Sequence, residues 1–121
     1  MRHRHSILAG LAAGAALLVA GAASAHARLV TSDPAANAAV AAPKAITLTF
    51  NEKLTPAFSK LELGIADGMK IEVKTAISPD GRSIVGTPQG KLMPGAYTVT
   101  WQAAAADDGH KTNGTVAFTV K

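Results

Sequence analysis

The stretch Leu61-Glu62-Leu63-Gly64-Ile65-Ala66-Asp67-Gly68-Met69-Lys70-Ile71-Glu72-Val73 decides the fold class. Its apolar side chains fall at 61, 63 and 65, and again at 69, 71 and 73. A period of two puts every second side chain on one face of an extended strand. Between the two runs stands Asp67-Gly68. A type I′ hairpin turn needs positive φ at both central residues, which Asp-Gly tolerates. The stretch therefore predicts a β-hairpin with one buried face.

The same alternation extends in both directions. Upstream, Ile46, Leu48 and Phe50 alternate with Thr47 and Thr49, and Ala27 to Thr31 forms a short strand ended by Ser32-Asp33-Pro34. Residues 35–44 are Ala-rich but flanked by prolines and without an apolar face, which predicts a loop. Downstream, Pro79-Asp80-Gly81 marks a turn before a short strand at Ser83 to Thr87. Pro94-Gly95 leads into Tyr97, Val99 and Trp101, and Val116, Phe118 and Val120 form a last strand. About seven short strands and no convincing helix predict an all-β antiparallel sandwich. Trp101 reads as a core anchor whose N–H needs a partner. Met69 fits the core side of its strand, and Met93 reads as a core or turn residue.

The first 25 residues have a different composition. Met-Arg-His-Arg-His precedes an apolar run from Ile7 to Ala23 and then Ala23-Ser24-Ala25. A basic start, an apolar centre and a small-x-small site make a secretory signal peptide, with cleavage after Ala25. The alternative, an uncleaved anchor, has an Ala- and Gly-rich run barely long enough to span a bilayer. Residues 26–121 remain as one domain of 96 residues, exported and without a later membrane span. The formal net charge of +4 falls to +2 when Arg2 and Arg4 leave, which points to neither nucleic acid nor a membrane surface. With no cysteine, disulfides, thiolate metal sites and cysteine nucleophiles are excluded.

Two histidines remain after residue 25, His26 and His110. Cleavage makes His26 the first residue, whose α-amine and imidazole can chelate one metal ion. His110 closes Asp107-Asp108-Gly109-His110. In a turning backbone, Asp108 and His110 at i and i+2 present a carboxylate and an imidazole to one side. Taken alone, Asp-Asp-Gly is also an ordinary polar turn, and an N-terminal His is also an ordinary mobile terminus. Together the amine, two imidazoles and a carboxylate form an N/O donor set that suits tetragonal Cu(II), with Ni(II) as the geometric alternative. Glu52, just past a strand end, is placed to support His26 from outside the ligand set or to be a solvated loop carboxylate. No serine triad, phosphate loop or aromatic ladder is present.

These pieces in this order resemble the CopC family of periplasmic copper-resistance proteins. The resemblance rests on His26-Ala27-Arg28-Leu29-Val30 with Ser32 and Pro34, on Ile46-Thr47-Leu48-Thr49-Phe50-Asn51-Glu52, and on Phe58-Ser59-Lys60-Leu61-Glu62-Leu63. It continues through Pro94 to Trp101 and Asp108-Gly109-His110 with Gly114, Phe118 and Val120. It implies a cupredoxin- or immunoglobulin-like Greek-key sandwich. It also implies Cu(II) bound by the amine and imidazole of His26, by Asp108 and by His110, with Glu52 as a supporting carboxylate. Some members carry a Met- and His-rich Cu(I) loop. Here Gly64 to Ile71 holds one Met and no His, which implies a Cu(II)-only member. The family usually has proline after the site histidine, where this chain has Lys111.

The resulting expectation is a periplasmic, monomeric, non-enzymatic protein that sequesters Cu(II) or delivers it, for example to an inner-membrane transporter of the CopD type. Two other classes stay in view. One is a copper-brace oxidative enzyme resembling polysaccharide monooxygenases, which also use an N-terminal His. The other is a metal-free immunoglobulin-like interaction domain.

Overall fold

The computed structural model describes residues 26–66 and 68–121. The signal peptide read in residues 1–25 lies outside them. Among the described residues nine strands are formed: β1 (Leu29–Asp33), β2 (Ala39–Val40), β3 (Ile46–Phe50), β4 (Lys60–Ile65), β5 (Lys70–Ile71), β6 (Val73–Ile77), β7 (Ser83–Pro88), β8 (Gly95–Ala104) and β9 (Lys111–Val120). The one helical element among the described residues is a 3-10 turn at Pro56–Phe58. One sheet has the order β1-β3-β7-β6 and the other β2-β9-β8-β4-β5. The chain passes from sheet to sheet on either side of β2, between β3 and β4, between β5 and β6 and between β7 and β8, which makes a Greek-key sandwich.

The core is the one that the alternation predicts. Ile46, Leu48 and Phe50 from β3 and Ile84 from β7 face Leu61, Leu63, Val99 and Phe118 from the other sheet. Tyr97 and Phe118 stack with ring centres 5.5 Å apart, and Phe50 meets Trp101 edge-on at 5.0 Å. Each large apolar side chain removed from water in this way contributes about 1.5–3 kcal/mol. Trp101 lies over Gly114, its register partner on β9. A Cβ at Gly114 would stand 2.7 Å from the indole Cζ2, so only glycine lets the ring lie this close to the strand.

Several sequence expectations are corrected. The alternating run Met69–Val73 is not one strand. Lys70–Ile71 pairs with β4, and after Glu72 the chain enters the opposite sheet, where Val73–Ile77 pairs with β7. A strand that changes sheet keeps its period of two while its partners change, so alternation alone cannot reveal the switch. The Ala-rich segment contains β2, which pairs with β9 in parallel, so the sandwich is not wholly antiparallel. Ser32 and Asp33 do not end β1 but belong to it, paired with Leu48 and Thr47. Met69 and Met93 are exposed rather than core. The Trp101 indole N–H is buried with no hydrogen-bond partner among the described residues.

Candidate metal centre

β8 and β9 are the longest strands and pair over their full length, from Gly95 with Val120 to Ala104 with Lys111. Their connection, residues 105–110, stands at one pole of the sandwich. Its geometry is fixed by backbone bonds. The Gly109 N–H donates to the Ala105 carbonyl at 2.9 Å, and the Ala105 N–H donates to the His110 carbonyl at 3.1 Å. Gly109 has φ of 71°, a left-handed conformation that side-chain-bearing residues rarely adopt. The connection is also strapped to the segment after β3. The Ala106 N–H donates to the Lys53 carbonyl, the Thr55 N–H donates to the Ala104 carbonyl, and Leu54 bridges Ala105.

Asp108 uses Oδ1 to accept the His110 N–H at 2.9 Å. This short loop bond turns the Asp108 carboxylate toward the residue whose imidazole is the candidate ligand. Asp108 and His110 are both exposed, as is His26.

The N-terminal segment reaches the same pole. Ala27 is buried, and its carbonyl accepts the Thr112 hydroxyl at 2.9 Å. The Arg28 N–H donates to Asn51 Oδ1 at 2.7 Å, and the Asn51 N–H returns a bond to the Arg28 carbonyl at 3.1 Å. His26 thus lies beside His110, with ring centres 4.2 Å apart and ring planes tilted by 44°. The two histidines are separated by 83 residues of sequence and brought together by the closure of the sandwich.

Imidazole nitrogens lie about 2 Å from a transition-metal ion that they bind, so two on one ion are at most about 4 Å apart. With ring centres 4.2 Å apart, the two imidazoles lie within reach of one ion. The carboxylates are less closely assembled. Among the described residues, no group of three or more His, Asp or Glu side chains is gathered into a metal-holding cluster. Asp108 is tied to its own loop, and Glu52 is half-buried on the segment that straps the connection. The structure therefore brings the two histidines together and keeps Asp108 and Glu52 at their pole. The His26 α-nitrogen has the character of an amine only once the bond to Ala25 is cut.

Lys111, next to His110, has its ammonium 4.9 Å from the centre of the Phe58 ring. Asn51, Thr112 and Phe58 were not singled out for the site from sequence. Asn51 beside Glu52 and Thr112 two residues past His110 carried the only signal: adjacency to a candidate, with strand alternation returning Thr112 to the side of His110.

Comparisons with known proteins identify the family and the fold. Residues 29–121 match the CopC domain family. The chain is 40% identical over 114 residues to copper resistance protein C of Xanthomonas campestris pv. juglandis, covering 88% of this chain and 89% of that one. The crystal structure of PcoC, a methionine-rich copper resistance protein from Escherichia coli, superposes with a TM-score of 0.72 at 40% identity, covering 80% of this chain and all (100%) of that one. The crystal structure of CopC from Methylosinus trichosporium OB3b superposes with a TM-score of 0.73 at 30% identity, covering 79% and 94% of the two chains.

Proposed function

This chain belongs to the CopC domain family, and from that premise we propose that it is an exported, periplasmic Cu(II)-binding protein that sequesters copper or passes it on. Membership makes copper resistance its field of action and copper its ion. The finer reading is a chelate made by the His26 amine and imidazole and the His110 imidazole, completed by the Asp108 carboxylate, with Glu52 in support. The observation that carries it is the contact between His26 and His110 at 4.2 Å. Two nitrogens from one terminal residue, a third from His110 and an oxygen suit the tetragonal preference of Cu(II), and the Irving–Williams order places copper above nickel and zinc in such a site.

Asp108 enters with Oδ1 on the His110 amide, which leaves Oδ2 free of hydrogen bonds among the described residues. A divalent ion beside this carboxylate gains the charge that two imidazoles do not supply. Binding requires the amine and both imidazoles to be deprotonated, so affinity falls as pH falls. The processed domain is residues 26–121. It acts as a monomeric carrier, with an inner-membrane copper transporter of the CopD type as the partner that receives or supplies the ion.

The reading is non-enzymatic. The copper-brace polysaccharide oxidases are typically longer and present a flat face dotted with aromatic side chains. Phe50, Tyr97, Trp101 and Phe118 are all in the core, which leaves Phe58 as the exposed aromatic among the described residues. Met69 and Met93 are isolated side chains rather than a run, unlike the soft thioether sets that suit Cu(I).

Electron paramagnetic resonance of two purified forms tests the proposal. One form begins at His26 and the other carries a single extra residue before it. The expected result is a stoichiometric, nitrogen-rich type 2 Cu(II) signal in the first form alone. The same weak, heterogeneous signal in both forms would remove the terminal chelate and leave a metal-free interaction domain.

A further inference from the structure

We propose that Asn51 and Thr112 are positioning residues that clamp the N-terminal segment from both sheets and so hold His26 beside His110. The proposal deepens the copper reading above and rests on it for its purpose. Its geometry stands separately.

The ladder between β1 and β3 gives out at Leu29, which pairs with Phe50, and its register is already irregular between Leu29 and Thr31. Residues 26–28 therefore have no regular strand pairing. A chain end in that position frays unless something else ties it down. Here the ties come from elsewhere. Asn51, just after β3, takes the Arg28 N–H on its side-chain oxygen and returns its own N–H to the Arg28 carbonyl. Thr112, on β9 in the opposite sheet, donates its hydroxyl to the Ala27 carbonyl. Asn51 is itself fixed, because its carbonyl accepts an Arg82 guanidinium N–H at 2.7 Å.

The placement of Thr112 gives the clamp its effect on the site. Thr112 lies two residues past His110, and Ala27 directly follows His26. One hydrogen bond thus couples the residue after His26 to the second residue past His110 and draws the two imidazoles to one place. A metal site whose ligands are already adjacent does not have to order a free terminus when the ion arrives. Supporting groups around a metal commonly change its affinity 10- to 100-fold when removed.

The test uses the processed protein beginning at His26, whose residues carry the whole described core. Thr112→Val keeps the shape and branching of the side chain and removes the hydroxyl. Thr112→Ser keeps the hydroxyl. Asn51→Ala removes the side-chain half of the second tie and keeps its backbone half. In metal-free protein, nuclear Overhauser contacts between the His26 and His110 rings are expected in the native sequence and in Thr112→Ser, and are expected to vanish in Thr112→Val with Asn51→Ala. Competition with a chelator should show Cu(II) bound about 10-fold more weakly by Thr112→Val and nearly unchanged by Thr112→Ser. Ring contacts that survive the double substitution overturn the clamp, as does a Thr112→Ser variant as weak as Thr112→Val. If the contacts follow the expected pattern while no form binds Cu(II) stoichiometrically, the clamp stands and the copper reading falls.

Discussion

At the scale of the residue, the candidate centre depends on a few side chains whose roles follow from their immediate surroundings. Gly109 has φ of 71° with open space where a Cβ would go, so a substitution there meets backbone strain and no clash. Gly109→Ala should cost about 1 kcal/mol, read by urea denaturation, because an L residue in the left-handed region carries that penalty. An unchanged midpoint would mean that the connection holds another conformation in solution. Lys111 poses a charge problem beside a site for a divalent cation. The structure answers it by holding the ammonium over Phe58. A cation–π contact at an exposed site is worth roughly 0.5–1 kcal/mol. Phe58→Ala should therefore release the ammonium and weaken Cu(II) binding by roughly two- to fivefold. Adding Lys111→Gln should restore it, since the repelling charge is then gone. Equal affinity in Phe58→Ala and the native protein would show that Lys111 never reaches the ion.

At the scale of the element, the turn between β6 and β7 has its own electrostatics. The Asp80 carboxyl is held below the usual carboxylate range chiefly by the Ser78 hydroxyl, then by the Arg82 N–H, both of which bond its anion. The Ser83 N–H in turn donates to the Ser78 hydroxyl oxygen, so four residues share one small network. The sign follows directly. The fold favours the charged form, so its contribution is complete above the ordinary carboxylate pKa and is lost as pH falls through the lowered one. Ser78→Ala should move the Asp80 titration up toward the usual range, as read from the side-chain carboxyl carbon by NMR. An unmoved titration would put the cause elsewhere. The same turn precedes β7, whose partner β6 has just crossed from the other sheet, so the network closes the hairpin that receives the crossing strand. At the other end of the molecule, Lys70 pairs with Glu62 at 3.1 Å across β4 and β5, an exposed ion pair of the kind worth little to stability.

At the scale of the whole molecule, stability comes from one core shared by both sheets, without disulfides. The pole that carries His26 and His110 is joined to that core through β8, β9 and the segment after β3. A ligand that binds only the folded state therefore stabilises all of it. Free Cu(II) at a hundred times its dissociation constant should raise the unfolding free energy by about 2.7 kcal/mol, and a chelator should reverse the gain. A melting temperature indifferent to Cu(II) would count against a site that exists only in the fold. Much of this was legible in sequence. Alternation of apolar residues named the core positions of β3, β4, β8 and β9, because side-chain direction in a strand is a local property with a period of two. Two lone histidines, one after a small-x-small motif and one beside a carboxylate, stood out as candidate ligands, because donor chemistry belongs to the side chain itself. Sheet membership was not legible. Ile71 and Val73 alternate without a break yet face partners in different sheets, since pairing is decided by which strand edge is available and not by the run. Nor was the approach of His26 to His110, which needs Asn51 from one sheet and Thr112 from the other to hold a segment that has no strand partner. Sequence by itself determined which residues point inward and which can bind a metal. Only the tertiary structure decided which of them meet, because contacts between residues 84 positions apart are set by the closure of two sheets.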